Sequence, residues 1–262
     1  RGAMTALPAW LTALPWLLAL ALLAWGVSTL KRNVGLVDIF WPLFLLLAAL
    51  CAFGELPVRT SRAVLVLVLV TIWALRLSIH LARRNWHAPE DHRYQAIRKR
   101  NEPGFAWKSL YLVFGLQALL AFVVSAPLQA AILAPSPAPL LTDLLGTALV
   151  LGGIAFEGVA DAQLAAFTSG GAHRGEVLER GLWRYSRHPN YFGEFCVWWG
   201  FFVLAAGTGA WWTLVSPLLM SLLLLRVSGV TLLEKDIGAR RPGYAAYVAR
   251  TNAFFPGPRR SP

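Results

Sequence analysis

Seven stretches of this chain run with almost no charge, and short clusters of arginine and lysine separate them. They are residues 7–30, 35–53, 63–82, 109–133, 143–168, 190–206 and 211–233. About 20 apolar residues in a helix cross the hydrocarbon core of a bilayer. A chain of 262 residues that carries seven such runs has little left with which to build anything else. Only 14% of its residues are charged against 57% hydrophobic, which excludes an ordinary soluble domain. No run alternates with the period of a strand. The expectation is an all-α, polytopic integral membrane protein with seven transmembrane helices. The last two runs are divided only by Ala205-Ala-Gly-Thr-Gly-Ala210, a small-residue turn, and merging them gives a six-span alternative.

Orientation follows from arginine and lysine alone, because translocated loops are poor in both. With the N-terminus outside and the C-terminus cytoplasmic, nineteen basic residues fall on the inner side and three on the outer. The same distribution explains the net charge of +11 without nucleic acid, since the cations are scattered among loops and not gathered on one domain. The first run is too long for a signal-peptide core and ends in Lys31-Arg32, so it is expected to remain as an anchor. Residues 5–255 are expected to form a single seven-helix membrane domain, 1–4 a remnant ahead of a natural start at Met4, and 256–262 a flexible tail. Cys51 and Cys196 both lie in apolar runs, which leaves no disulfide framework or thiolate metal site; no metal is expected.

Ionisable residues inside spans are costly, so each is a site candidate. Asp38 stands near the start of the second run, as a partner for an arginine or as a catalytic acid. In the third run Trp73, Arg76, His80, Arg83 and Arg84 recur at helical spacing and make one polar stripe. Arg83 and Arg84 fit interfacial anchors, Arg76 an anion or carboxylate partner, and His80 either a packed core residue or a ligand contact. Glu157 and Asp161, four apart, share one face of the fifth run; an ion-pair network and a cofactor contact both account for them.

The densest polar cluster is Gly181-Leu-Trp-Arg-Tyr-Ser-Arg-His-Pro-Asn-Tyr-Phe-Gly-Glu194. Pro189 suits the first turn of a helix, after which Asn190, Glu194 and Trp198 descend one face. An interfacial belt explains Trp183 and Tyr185, but not a carboxylate one turn inside a span. A phosphate-bearing cofactor explains both, with Arg184, Arg187 and His188 at the mouth and Asn190 and Glu194 below. Tyr244 and Tyr247, three apart, either cover an adenine or anchor the chain at the interface. Glu234 closes the seventh run. No glycine-rich dinucleotide fingerprint or Walker loop follows a strand, so any such site is built from helices.

Four blocks now carry a resemblance: Val34-Gly-Leu-Val-Asp-Ile-Phe-Trp-Pro42, Leu75-Arg-Leu-Ser-Ile-His-Leu-Ala-Arg-Arg-Asn85, Glu90-Asp-His-Arg-Tyr94 and the cluster just quoted. Together they resemble the bacterial branch of the steroid 5α-reductase family over nearly the whole chain. Arg187-His-Pro-Asn-Tyr191 alone is also similar to isoprenylcysteine carboxyl methyltransferases and sterol reductases. The resemblance implies a multi-pass enzyme of the bacterial inner membrane. It would bind NADPH and reduce the 4,5 double bond of a 3-oxo-Δ4-steroid, or a comparable hydrophobic enone, arriving through lipid. By this likeness Asp161, Asn190, Tyr191 and Glu194 fall where the family holds its cofactor, with Arg76, Arg174, Arg180 and His188 as looser matches. Arg84, Tyr185, Arg187, Glu234 and Tyr247 complete the candidate cofactor set. The animal reductases place a Gln-Glu pair on the second span and a tyrosine on the third. Here the second span offers Asp38 alone, and Trp73 stands near the tyrosine's place. A protonated Asp38 is the expected donor to the carbonyl, with Tyr94 the second candidate. The alternatives are an S-adenosylmethionine-dependent methyltransferase acting on a lipid or lipidated substrate, and a transporter or scaffold. The arginines favour a phosphorylated dinucleotide over the first, and polar residues gathered at one side speak against the second.

Overall fold

The structure, a computed structural model, describes residues 6–135, 141–169, 175–227 and 243–260. Helix is the only regular structure among the described residues, with no strand, as lipid requires: a spanning segment must satisfy every backbone polar group internally. Five helices are long and apolar enough to cross a membrane: Ala9–Lys31, Val34–Gly54, Ser61–Asn85, Phe105–Val124 and Leu141–Thr168. The multi-pass character expected from sequence is therefore present. The sixth expected span is a helix but is not among these five, having Asn190 and Glu194 in its first half. The seventh is represented by the shorter apolar helix Trp211–Arg226, and residues 228–233 lie outside the described residues.

The chain groups into two compact units, Arg1–Leu140 with Ala205–Thr213, and Leu141–Leu204 with Leu214–Pro262. The first unit holds α1 (Ala6–Leu11), α2 (Ala13–Lys31), α3 (Val37–Gly54, entered through a 3-10 turn at Val34–Leu36) and α4 (Ser61–Asn85). It continues with α5 (His92–Asn101), α6 (Phe105–Ser109), α7 (Leu116–Val124) and α8 (Ala126–Leu133). Helix α3 is central, packing on α2, α4, α7 and α8. Helix α2 turns Leu17, Ala21, Ala24 and Ser28 inward at spacings of four, three and four. Its Leu18, Leu22, Leu23 and Leu30 stay exposed, a face suited to lipid. The expected span 109–133 is broken. Ser125 ends α7 with its hydroxyl donating to the Phe122 carbonyl at 2.9 Å, and Pro127, which has no N–H to give, opens α8.

The second unit holds α9 (Leu141–Thr168), α10 (Pro189–Ala206), α11 (Val215–Leu222) and α12 (Tyr244–Arg250). Helices α9 and α10 meet through glycines on both sides. A methyl group at Gly153 would lie 2.7 Å from the Gly193 carbonyl oxygen, and one at Gly193 would lie 2.8 Å from the Gly153 oxygen. Seven residues along, Gly146 and Gly200 repeat the arrangement, with corresponding distances of 2.8 and 2.9 Å. Apolar burial drives little association in lipid, where side-chain-free positions that let backbones touch do much of the work. Gly193 also leaves room for Glu157, whose Cβ would stand 2.7 Å from a Cβ placed there.

Gly153→Ala and Gly193→Ala are therefore expected to force α9 and α10 apart and to cost about 1–3 kcal/mol each. Gly152→Ala, where nothing lies within 4 Å, is the control. It should be neutral or stabilising by roughly 0.5–1 kcal/mol, because glycine is a poor residue inside a helix. Thermal unfolding in one detergent compares all three.

Candidate functional site

In the first unit the sequence blocks at 33–42 and 86–98 converge on the start of α3. Asp38 lies in its first turn. The Tyr94 hydroxyl donates to Asp38 Oδ1 at 2.6 Å, and an Arg93 guanidinium nitrogen stands 3.4 Å from Oδ2. Arg93 is held in turn by Asp91, Nε to Oδ1 at 2.9 Å, and Asp91 caps α5 by accepting the Arg93 backbone N–H at 2.9 Å. Glu90 fastens the loop from the other side. Its Oε1 accepts the Val34 N–H at 2.8 Å, and Arg98 forks onto both oxygens at 2.8 and 2.9 Å. Asn33 spans the same gap, donating to the Ala88 carbonyl at 3.1 Å and accepting from Gly35 N at 3.0 Å. Gly35 packs closely here: a Cβ would crowd the Asn33 side-chain oxygen at 3.1 Å and the Tyr94 ring at 3.3 Å.

These contacts set the charge states. Burial pushes the Tyr94 phenol up, and the Asp38 carboxylate beside it pushes the same way, so the phenol keeps its proton far above its ordinary range. Burial works against the Arg93 charge, but Asp38 and Asp91 outweigh it and hold the guanidinium ionised. For Glu90, burial raises the pKa, but the Arg98 fork and the Val34 N–H together leave it below its ordinary 4.5. The other candidates of this unit lie on α4: Trp73 is fully buried, Arg76 is half-buried, and Arg84 is exposed with Nε on the Asn85 side-chain oxygen at 2.9 Å.

In the second unit Glu157, Asp161, His188 and Glu194 are all buried. The Asn190 amide donates to Asp161 Oδ1 at 3.2 Å, joining α10 to α9. Glu194 accepts the Trp198 indole N–H at 2.9 Å, and the His188 ring stacks on Tyr191 with centroids 5.7 Å apart. Asp161, Asn190 and Glu194 thus share the glycine-lined helix pair. An open groove of ≈ 380 Å3 lies beyond them, lined by Gln163, Ala166, Phe167, Leu178, Arg180 and Gly181. Of the residues expected to bind a cofactor, Arg180 alone among the described ones lines it. Gln163, which no sequence argument singled out, accepts the Leu182 N–H at 2.9 Å and fixes the groove wall.

Three of the candidate cofactor residues also tie the 181–188 loop to the C-terminal segment, Tyr185 through its backbone alone. Arg187 donates to the Thr251 carbonyl at 2.7 Å and its backbone N–H to the Asn252 carbonyl at 2.9 Å. The Tyr247 hydroxyl donates to the Trp183 carbonyl at 2.5 Å, and burial, with Tyr244 adding, pushes that phenol up. Tyr185 is exposed, and its carbonyl accepts the Gly257 N–H at 3.1 Å. The segment expected to be a loose tail is therefore tied down as far as it is described. Arg259 meets Glu179 at 2.5 Å, and the Arg260 N–H donates to the Arg250 carbonyl at 3.0 Å. Arg174 and Glu234 lie outside the described residues. Among the described residues no cluster of His, Cys, Asp and Glu has the makings of a metal site.

Residues 24–251 match the family described as Protein of unknown function (DUF1295). The chain belongs to that family. It is also similar to the Uncharacterized protein C594.04c of Schizosaccharomyces pombe, 25% identical across 88% of this chain and 75% of that protein. No solved structure matches it. The four sequence blocks all lie within the matched span.

Because Glu90 has a lower pKa folded than unfolded, its clamp is fully present above the unfolded value and is lost as pH falls through the folded one. Glu90→Gln should cost about 1–3 kcal/mol near neutral pH, the usual worth of a charged hydrogen bond. The gap between variant and parent should close as pH falls from about 6 to about 3. Thermal unfolding across that range reads it directly.

Proposed function

We propose that the chain is a membrane-embedded, NADPH-dependent reductase of conjugated ketones, acting on the 4,5 double bond of a 3-oxo-Δ4-steroid or a hydrophobic enone of that kind. The observation that carries the reading is the Tyr94–Asp38–Arg93 cluster at the start of α3, a buried phenol that retains its proton beside a carboxylate and a fixed cation. Adding hydride to C5 of an enone drives negative charge onto the C3 carbonyl oxygen, and a preorganised neutral donor in a dry site is worth most at that moment. Tyr94 fits that role better than a protonated Asp38. Asp38 accepts from the phenol and faces Arg93, whereas the phenol holds a proton to give. When its O–H turns to the carbonyl, Asp38 keeps Arg93 as partner. A proton delivered to C4 completes the reduction.

The second unit fits a phosphorylated dinucleotide in kind. Asn190 and Asp161 offer an amide and a carboxylate for a carboxamide or ribose, Glu194 offers a second buried acceptor, and Arg180 offers an exposed cation in an open groove. NADPH, when bound, supplies the hydride. The resemblance of the four sequence blocks to the steroid 5α-reductase family supports the same reading, and the exposed Arg180 in the groove favours it over methyl transfer.

Two measurements test it. Purified protein in detergent is titrated with NADPH, NADH and S-adenosylmethionine while thermal stability is followed; NADPH should stabilise most, and preferential stabilisation by the methyl donor would overturn the proposal. With a Δ4-3-keto steroid as substrate, Tyr94→Phe should lower kcat about 100-fold or more, the usual cost of one oxyanion donor. Asp38→Asn should also lower it, and full turnover in that variant would remove Asp38 from the mechanism. Glu194→Gln should weaken NADPH binding with little change in kcat.

A further inference from the structure

The charged end of α2, α3 and α4 carries a groove that the proposed reduction does not use. It has a volume of ≈ 270 Å3, and its lining includes Lys31, Arg32, Asn33, Trp86, His87 and Glu90. Lys31 is the last residue of α2, and Arg32 closes that helix in a left-handed conformation, φ 52°. Both are exposed, with the Lys31 ammonium 4.6 Å above the Trp86 ring. Arg32 and His87 make no side-chain hydrogen bond or ion pair among the described residues.

The polar groups of the floor are consumed by the fold. Asn33 is spent on Ala88 and Gly35, and Glu90 on Val34 and Arg98, which also cancels its charge. What remains to meet a ligand is cationic, Lys31 and Arg32 with the His87 imidazole alongside. The flank is apolar. Leu30, next to the two cations, is 88% exposed, and Leu23, seven residues earlier on the same helix face, is 57% exposed. Two exposed cations, one of them resting on an indole, and two exposed leucines one above the other at the end of membrane-crossing helices are complementary to one kind of molecule. A phosphate sits among the cations, the indole lies at headgroup depth and acyl chains follow the leucines.

We propose that this groove binds an anionic phospholipid, its phosphate between Lys31 and Arg32 and its chains along the Leu23–Leu30 flank of α2. A zwitterionic lipid brings its own cation and so competes poorly for two fixed positive charges.

The test uses the full chain in a neutral detergent and counts bound lipid by native mass spectrometry. Phosphatidylglycerol, phosphatidylcholine with the same chains and soluble glycerol 3-phosphate are titrated in turn. Phosphatidylglycerol should bind about tenfold or more tighter than phosphatidylcholine. The double variant Lys31→Gln/Arg32→Gln should weaken it roughly 25-fold, since each cation near a charged headgroup contributes about fivefold. Both side chains are exposed, so the variant should keep the parent's elution volume and unfolding temperature. Lys99→Gln/Arg100→Gln, on the exposed part of α5, should leave lipid binding unchanged. Equal binding of the two lipids overturns the proposal, as does an equal loss in both double variants. Displacement by glycerol 3-phosphate at comparable concentration would make this a free-phosphate site instead. None of these readouts depends on turnover or NADPH, so they stand or fall apart from the reductase reading.

Discussion

Lipid is as apolar as leucine, so a membrane chain cannot be held together chiefly by hiding leucine. This constraint organises both units. In the second, four glycines let α9 and α10 touch backbone to backbone, where dispersion and weak polar contacts are strongest. In the first, α3 packs on four helices with Phe44, Leu45, Ala48, Ala49 and Ala52 among its buried residues, and the polar fastenings are reserved for the helix ends, where water and headgroups tolerate them. Glu90, Asn33 and Asp91 do there what glycines do in the middle of the second unit. They fix one segment against another without asking for apolar burial.

Close approach has a chemical consequence. Where two helices meet without side chains, the larger residues one turn away are driven together. Gly193 opposite Glu157 brings a buried carboxylate against the α10 backbone, and the same contact sets Asn190 on Asp161. Polar groups placed this deep are expensive unless satisfied, which is why buried ionisable residues in spans signal function. The loop 181–188 follows a different logic. Arg187 donates to the Thr251 carbonyl, the Tyr185 carbonyl accepts the Gly257 N–H and the Trp183 carbonyl accepts the Tyr247 hydroxyl, so a segment rich in charge is fixed in shape by its own C-terminal strap.

Much of this was legible in the sequence, and the failures have physical reasons. Charge-free length identified the helices, because only helices satisfy their backbone in lipid. The break at Ser125 was missed: hydropathy does not register a change of backbone direction, although Pro127 was a visible signal. Asp38 and Tyr94 were both named as candidates, but their hydrogen bond depends on α5 folding back over the start of α3, which no local pattern encodes. Arg93 was passed over because a basic residue in a loop also satisfies the positive-inside rule. The bonds of Arg187 and Tyr247 to backbone carbonyls are not legible in sequence, because side-chain chemistry alone does not distinguish a phosphate from a backbone carbonyl as acceptor.

The placement of acid and phenol at the start of α3, and not deeper, follows from the same economy. Helix α5 carries Arg93, Tyr94 and Arg98 toward the bundle and leaves Gln95, Ala96, Lys99 and Arg100 outside, so it is a surface helix drawn down by ion pairs on one face. Such a helix stays docked only while Glu90 and Asp38 remain acceptors, since little of its surface is apolar. The phenol therefore sits at the boundary between an apolar interior, which keeps it protonated, and a charged rim, which holds it in position. A donor deeper in α3 would have the first without the second. One farther out would have the rim without the interior, and its proton would be shared with water.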